Sequence, residues 1–290
     1  MVINGYTRTC GLIGNPVEHT MSPAIHNTLA AELSENLVYV PFFVPEGKIR
    51  EAVEGAFALN LLGCNVTVPY KSQVIPFLKE IDPLAEKIGA VNTLVRVQDG
   101  FKGYNTDMPG LLQAMREDGV RLEGEKVLIL GAGGVARAVA MLLSEQGASQ
   151  IIILNRTAEK AEVLAREVNA VSGRQLAAAM ALADYISLPQ GEKYLAIQAT
   201  NLGMFPRVEE AVIEDRAFYE KIHTGYELIF NPSRTRFMSL VEENGGRAFN
   251  GLKMLLYQGV IAYELWTGAE VGAELAGKAY REMQRAMGLV

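Results

Sequence analysis

Cysteine, histidine and tryptophan are scarce in this chain of 290 residues, which has two cysteines, three histidines and one tryptophan. Cys10 and Cys64 are far apart and each sits in an apolar stretch. The expected state of both is a reduced, buried thiol in a cytoplasmic protein, not a disulfide. No histidines or cysteines cluster at ligand spacing, so no metal site is expected. The N-terminal MVINGYTRTCGLIG has no basic segment leading into a long apolar run, and no signal peptide is expected. Val127 to Leu143 is almost uncharged, but its glycines and Arg137 read as a strand, turn and helix rather than a membrane span. Positive charge is in deficit, with a net charge of -6. That argues against a nucleic-acid partner, which needs a positive surface, but leaves room for a local basic pocket.

Apolar residues are plentiful. With 49% hydrophobic and 21% charged residues, a chain of this length can fill two cores without disulfides or metals. Strands are expected at 9–14, 37–43 and 61–68. They alternate with helices at 22–33, where Ser22 is the expected N-cap and Pro23 the first helical residue, and at 46–59. Such alternation favours a parallel sheet covered on both faces. A hairpin is expected from 92–97 and 101–105 around Asp99-Gly100. A second alternating run has strands at 126–130, 150–154, 194–200 and 226–230. Two helices, 252–266 and 269–287, end the chain. The first is too apolar to lie alone on a surface, so it is expected to return to the first domain. The expected fold is α/β, with one domain formed by 1–107 and 247–290 and a Rossmann-type doubly wound domain formed by 108–246.

The strongest local signal is KVLILGAGGVARAVAMLLSEQGA, in which a strand runs into Gly131-Ala132-Gly133-Gly134-Val135-Ala136 and then a helix. This matches the glycine pattern of dinucleotide sites, where tight backbone turns bring a pyrophosphate to a helix N-terminus. The next strand ends at Asn155, Arg156 and Thr157, with Lys160 one turn on. A carboxylate there would hold a ribose 2′-hydroxyl, whereas a guanidinium suits a 2′-phosphate, so NADP(H) is the expected cofactor. Elsewhere, Lys71 follows the apolar strand of NVTVPYK, and GYNTD places Asp107 where the two domains join. A lysine within reach of a carboxylate could protonate a carbonyl oxygen as hydride arrives at carbon.

Seven segments in order, GNP…HTMSP, NVTVPYK, GAVNT, GYNTD, GAGG, NRT and Gly251…Met254-Leu255…Gln258, resemble the shikimate dehydrogenase family along nearly the whole chain. The resemblance implies a substrate domain completed by C-terminal helices, a Rossmann domain between, and NADPH-dependent reduction of 3-dehydroshikimate to shikimate. It implies that Lys71 and Asp107 are the catalytic pair and that Thr67 and Asn92 bind ring hydroxyls. Thr20 and Ser22 would hold the substrate carboxylate, with Phe230 and Gln258 also facing substrate. Thr200, Asn201 and Gly251 join the cofactor set.

Thr20 stands where the family has serine, Phe230 where tyrosine is common, Met108 for glycine, Arg236 for proline and Gln198 for asparagine. A changed or broadened substrate, such as quinate, is one expectation from these departures. The catabolic quinate/shikimate dehydrogenases often prefer NAD and carry an acidic residue after the second Rossmann strand, and Arg156 speaks against that version. A methylenetetrahydrofolate dehydrogenase would lack NRT, GYNTD and the Gln258 helix. A non-catalytic NADP sensor would be expected to have lost Lys71 or Asp107. The partners expected are a small molecule and at most a second copy of the chain, as monomer or homodimer.

Overall fold

Apolar strands separated by amphipathic helices build two sheets in the computed structural model, which describes residues 3–290. Met1 and Val2, the start of the expected first domain, lie outside the described residues. The chain divides into two units, Met1–Leu111 with Leu255–Val290, and Leu112–Met254.

In the first unit, β1 (Arg8–Gly14), α1 (Ser22–Glu32), β2 (Leu37–Phe43), α2 (Ile49–Ala58) and β3 (Gly63–Val66) follow the expected alternation. Then come β4 (Glu80–Ile81), α3 (Pro83–Ile88), β5 (Thr93–Val97), β6 (Gly100–Tyr104) and α4 (Asp107–Glu117), which belongs to this unit through Leu111. The sheet order is β2-β1-β3-β5-β6-β4. Contrary to the expected parallel sheet, it is mixed: β5 runs antiparallel to both β3 and β6. The reason is the tight hairpin, which pairs Val97 with Gly100 and so fixes β5 and β6 in opposite directions.

Two boundaries also moved. Strand β3 stops at Val66 because Tyr70 N–H turns back onto Thr67 O at 2.9 Å. Met21, not Ser22, is the N-cap of α1 and gives no side-chain cap. Instead Thr20 Oγ1 accepts the Ser22 N–H at 3.2 Å, taking up one of the free donors of the first turn.

The second unit contains β7 (Lys126–Leu130), α5 (Gly134–Glu145), β8 (Gln150–Asn155), α6 (Ala158–Ser172), β9 (Ala177–Ala181) and β10 (Tyr194–Gln198). After them come α7 (Arg216–Tyr219), β11 (Ile222–Glu227), α8 (Arg236–Glu243) and β12 (Arg247–Phe249). Its sheet, ordered β12-β11-β10-β7-β8-β9, has parallel pairing throughout. This is the doubly wound order, with its switch point between β7 and β10. Strand β11 ends three residues before the expected 230. Arg247–Phe249, assigned from sequence to the first domain's C-terminal segment, pair instead with β11.

The chain closes with α9 (Leu252–Thr267) and α10 (Ala273–Ala286). From Leu255 onward these helices belong to the first unit. Trp266 Nε1–H donates to Leu94 O of β5 at 2.8 Å, and Lys278 of α10 pairs with Glu32 of α1 at 2.7 Å. The apolar α9 thus finds the cover that its sequence demanded. Among the described residues, no helix is long and apolar enough to cross a membrane. Cys10 and Cys64 are both free and buried. Burial raises both thiols, Cys64 to about 12, and leaves them poor nucleophiles.

Candidate active site

The first unit assembles Lys71, Asn92 and Asp107 from three separate segments. Lys71 follows the turn after β3, Asn92 precedes β5, and Asp107 opens α4. Lys71 Nζ donates to Asp107 Oδ2 at 2.8 Å, and Asn92 Nδ2 donates to Asp107 Oδ1 at 2.9 Å. Both carboxylate oxygens are therefore occupied and the carboxylate plane is set. Asn92 is buried and itself held: its Oδ1 accepts Thr106 N–H at 2.7 Å, and its backbone O accepts Val66 N–H at 2.8 Å. Lys71 remains about one-third exposed and Asp107 about one-fifth, at 32% and 18% of their side chains. The ammonium is accessible to a substrate while anchored on one side.

Ser22 and Thr20 are paired, with Thr20 Oγ1–H donating to Ser22 Oγ at 3.2 Å. Thr67 follows β3, its N–H on Ile13 O at 2.9 Å, which puts it beside the end of β1. Gln258 is buried on α9 against α4: a Cβ on Gly110 would lie 2.6 Å from Gln258 N, so only glycine allows this approach. The Gln258 amide donates to Leu255 O of its own helix at 2.7 Å. That contact satisfies one amide hydrogen within the helix itself. Phe230 belongs to the second unit and is half-buried just beyond β11.

In the second unit the glycine turn has the form its pattern foretold. Gly131, at φ +114°, sits in a conformation side chains avoid, and a Cβ there would press on Thr200 and the Ala199 carbonyl at 3.0 and 3.1 Å. Thr200 is thereby placed at the turn. Gly133 caps α5 without a side-chain partner, and a Cβ on Gly133 or Gly134 would meet nothing within 4 Å. The N–H groups of this helix start are thus left open to an anion. Ala132 and Val135 flank the turn, and Ala136 is buried, letting α5 lie close to the sheet.

Beside this turn lies a cavity of about 380 Å³ lined by Ala132, Gly133, Gly134, Arg137, Lys160 and Glu167, among others. Asn155 Nδ2 donates to Thr157 O at 2.8 Å, shaping the loop that carries Arg156. Arg156 and Lys160 are exposed, and among the described residues neither is held in an ion pair. Open backbone donors at a helix N-terminus with two uncommitted cations nearby fit a dinucleotide bearing a 2′-phosphate. Asn201 is exposed and accepts from Arg207 at 3.3 Å.

Gly251 has a packing reason of its own. Its N–H donates to Ile229 O at 3.0 Å, and a Cβ there would collide with the Leu228 carbonyl.

Sequence reading missed the polar groups behind this machinery. Asn65, buried in β3, donates to Thr93 Oγ1 at 3.1 Å and accepts from Tyr39 OH at 2.8 Å. A polar residue inside an apolar strand was the available signal. Glu227, wholly buried at the end of β11, was also missed. Burial pushes its carboxyl from 4.5 up to about 7. Among the described residues, no group of three or more His, Cys, Asp or Glu could hold a metal ion.

Three family models match the chain. They are the shikimate dehydrogenase substrate binding domain over residues 12–94, shikimate/quinate 5-dehydrogenase over 113–205, and the shikimate 5′-dehydrogenase C-terminal domain over 251–275. The shikimate dehydrogenase (NADP+) of Carboxydothermus hydrogenoformans is 42% identical over 280 residues, covering 96% of this chain and 98% of that protein. A solved shikimate dehydrogenase in complex with NADP+ superposes with a TM-score of 0.87 at 37% identity, over 97% of this chain and 96% of the other. The shikimate 5-dehydrogenase of Listeria monocytogenes, solved with shikimate and NAD, gives 0.87 at 31% identity over 98% of each chain. With its glycine turn, its Lys71–Asp107 pair and relatives matched from end to end, the chain belongs to the shikimate dehydrogenase family.

Proposed function

We propose that this protein interconverts 3-dehydroshikimate and shikimate with NADP(H). The observation that carries the reading is the Lys71–Asn92–Asp107 constellation in a chain matched over nearly its full length by enzymes of that name. We assign substrate handling to the first unit and cofactor binding to the second. NADPH, when bound, supplies the hydride. Lys71 then acts at the carbonyl oxygen, where its ammonium stabilises the developing negative charge and donates the proton. Asp107 orients Lys71 and offers an acceptor to a ring hydroxyl, and Asn92 holds Asp107 in place. We assign Thr67 and Gln258 to ordering the ring, and the Thr20 and Ser22 hydroxyls to the carboxylate.

Gly131, Ala132, Gly133, Gly134, Val135 and Ala136 would hold the pyrophosphate, with Thr200, Asn201 and Gly251 nearby. Asn155, Arg156, Thr157 and Lys160 would hold the 2′-phosphate. The buried thiols suit a reducing compartment, and we place the protein in the cytoplasm as a monomer or homodimer. Initial rates of NADP+ and NAD+ reduction with shikimate and, separately, quinate test the reading. Turnover fastest with shikimate and NADP+ is the expected result. Turnover with quinate alone would move the assignment to another ring acid, and NADP+ binding with neither acid oxidised would point to a sensor.

A further inference from the structure

Two buried polar side chains stand side by side at the carboxyl ends of neighbouring strands in the second unit. Gln198 ends β10, Glu227 ends β11, and the two residues are partners in the ladder. They are 1% and 0% exposed, which for an amide and a carboxyl demands fully committed hydrogen bonding. Each spends its side chain on the loop that follows its own strand. Gln198 Oε1 accepts both the N–H and the hydroxyl of Thr200, at 2.7 and 2.8 Å, while its Nε2 donates to Leu202 O at 2.9 Å. Glu227 accepts the Ile229 N–H at 3.1 Å and the Thr235 hydroxyl at 2.9 Å, gripping its loop at both ends.

The grips are joined to each other. The Gln198 amide lies against the Glu227 carboxyl and steadies its charged form. The two loops also run close together, since a Cβ on Gly203 would lie 3.3 Å from Thr235 and 3.6 Å from Ile229. One loop carries Thr200 and Asn201, and the other carries Phe230. Among the described residues no ion pair reaches this carboxyl, so its neutral contacts must hold it.

We infer that Gln198 and Glu227 form a single buried clamp that holds the loops after β10 and β11 together, making both of them positioning residues for the dinucleotide end of the sheet. This rests on the NADP(H) reading above as far as catalysis is concerned, but the clamp itself is a property of the loops. Gln198 is also where the chain departs from the family's asparagine. Here the glutamine side chain serves both Leu202 O and Thr200.

The test is amide hydrogen exchange on the full-length protein, comparing wild type with Glu227→Ala, Gln198→Ala and the double variant. Exchange in 199–204 and in 229–235 is expected to quicken about fivefold to tenfold in either single variant, as the loss of one or two hydrogen bonds implies. The double variant should add little, because a shared clamp breaks once. Rates in β7 and β8 serve as the control for general loosening. If Glu227→Ala freed only 229–235, or neither loop, or if the two substitutions added fully, the clamp would be refuted. Should Glu227→Ala not fold, Glu227→Leu, which keeps most of the bulk and removes both acceptors, gives the same comparison with Gln198→Ala. Kinetics form a separate arm, in which KM for NADP+ is expected to rise several-fold in the variants. A wild type inactive on shikimate would sink the proposed reaction and leave the exchange result standing.

Discussion

Asp107 and Glu227 are both carboxyl groups set where a strand gives way to a loop or helix, yet the two units treat them differently. Asp107 has an ammonium at 2.8 Å and an asparagine amide at 2.9 Å, and part of it remains in solvent. Glu227 has backbone N–H groups, a hydroxyl and an amide, no exposure and, among the described residues, no ion pair. The first arrangement keeps a charged lysine fixed and reachable, as proton transfer requires. The second removes a carboxyl from water with only neutral partners, and its proton affinity climbs accordingly.

The sharpest way to break this contrast is Lys71→Ala. It is expected to lower kcat with shikimate by about 10²- to 10⁴-fold, the range for a lost general acid or base. NADP+ affinity, measured by fluorescence titration, should hardly change, because every cofactor residue assigned here lies in the other unit. A comparable fall in NADP+ affinity would mean that Lys71 supports the fold and not the chemistry.

Glu227 provides the next largest effect, this time on stability. Its folded-state pKa is raised from 4.5 to about 7, so between those values the folded protein holds a proton that the unfolded chain has released. Its contribution to stability is therefore full below about pH 4.5, falls as pH rises to about 7, and is flat beyond. A shift of this size corresponds to at most about 3 kcal/mol. Tyr219 on α7 feels the Glu227 charge, with Glu214 and Arg236 alongside, so they belong in the same titration. Urea melts at pH 5 and pH 8 should show Glu227→Gln gaining on wild type at the higher pH. Equal curves at both would show that the carboxyl is not forced neutral.

A smaller effect concerns Arg156, exposed and without an ion pair among the described residues. Arg156→Ala is expected to weaken NADP+ binding roughly 10- to 100-fold, as loss of charge-assisted bonds to a phosphate implies, and to leave NAD+ binding nearly unchanged. Titration with both cofactors separates this from a general loss of the site. Parallel losses would assign the 2′-phosphate to another residue.

How far these features could be read from sequence follows from the range of the interactions. KVLIL became β7 residue for residue, because a short apolar run before a glycine turn has one reading. Strand β9, AAAMA, and the three-residue β12 carry no such pattern, since alanine suits helices and short edge strands hold little information. YELIF looked like a strand through Phe230. The ladder ends at Glu227 instead, where the side chain captures the Ile229 N–H and turns the chain out of the sheet. Lys71 and Asp107 were legible through motif resemblance. That Asn92 would fill the second Asp107 oxygen depends on a pairing fifteen residues apart, which periodicity does not register. The same holds for Gln198 and Glu227, which meet only because β10 and β11 are neighbours.

Thr20 tests the contrast where no charge is involved. Its hydroxyl donates to Ser22 Oγ and accepts the Ser22 N–H, so removing the methyl in Thr20→Ser leaves both bonds available and frees space beside them. If these hydroxyls receive the substrate carboxylate, Thr20→Ser should lower KM for shikimate by a few-fold with kcat unchanged, a change of about 1 kcal/mol for one methyl group. Thr20→Val should raise KM instead, because it keeps the bulk and loses the hydroxyl. A neutral Thr20→Ser together with a damaged Thr20→Val would mean the hydroxyl matters and the methyl does not, so that Thr20 leaves the pocket unaltered. The substrate change hinted at by the family departures would then fall to the others, Phe230 first among them.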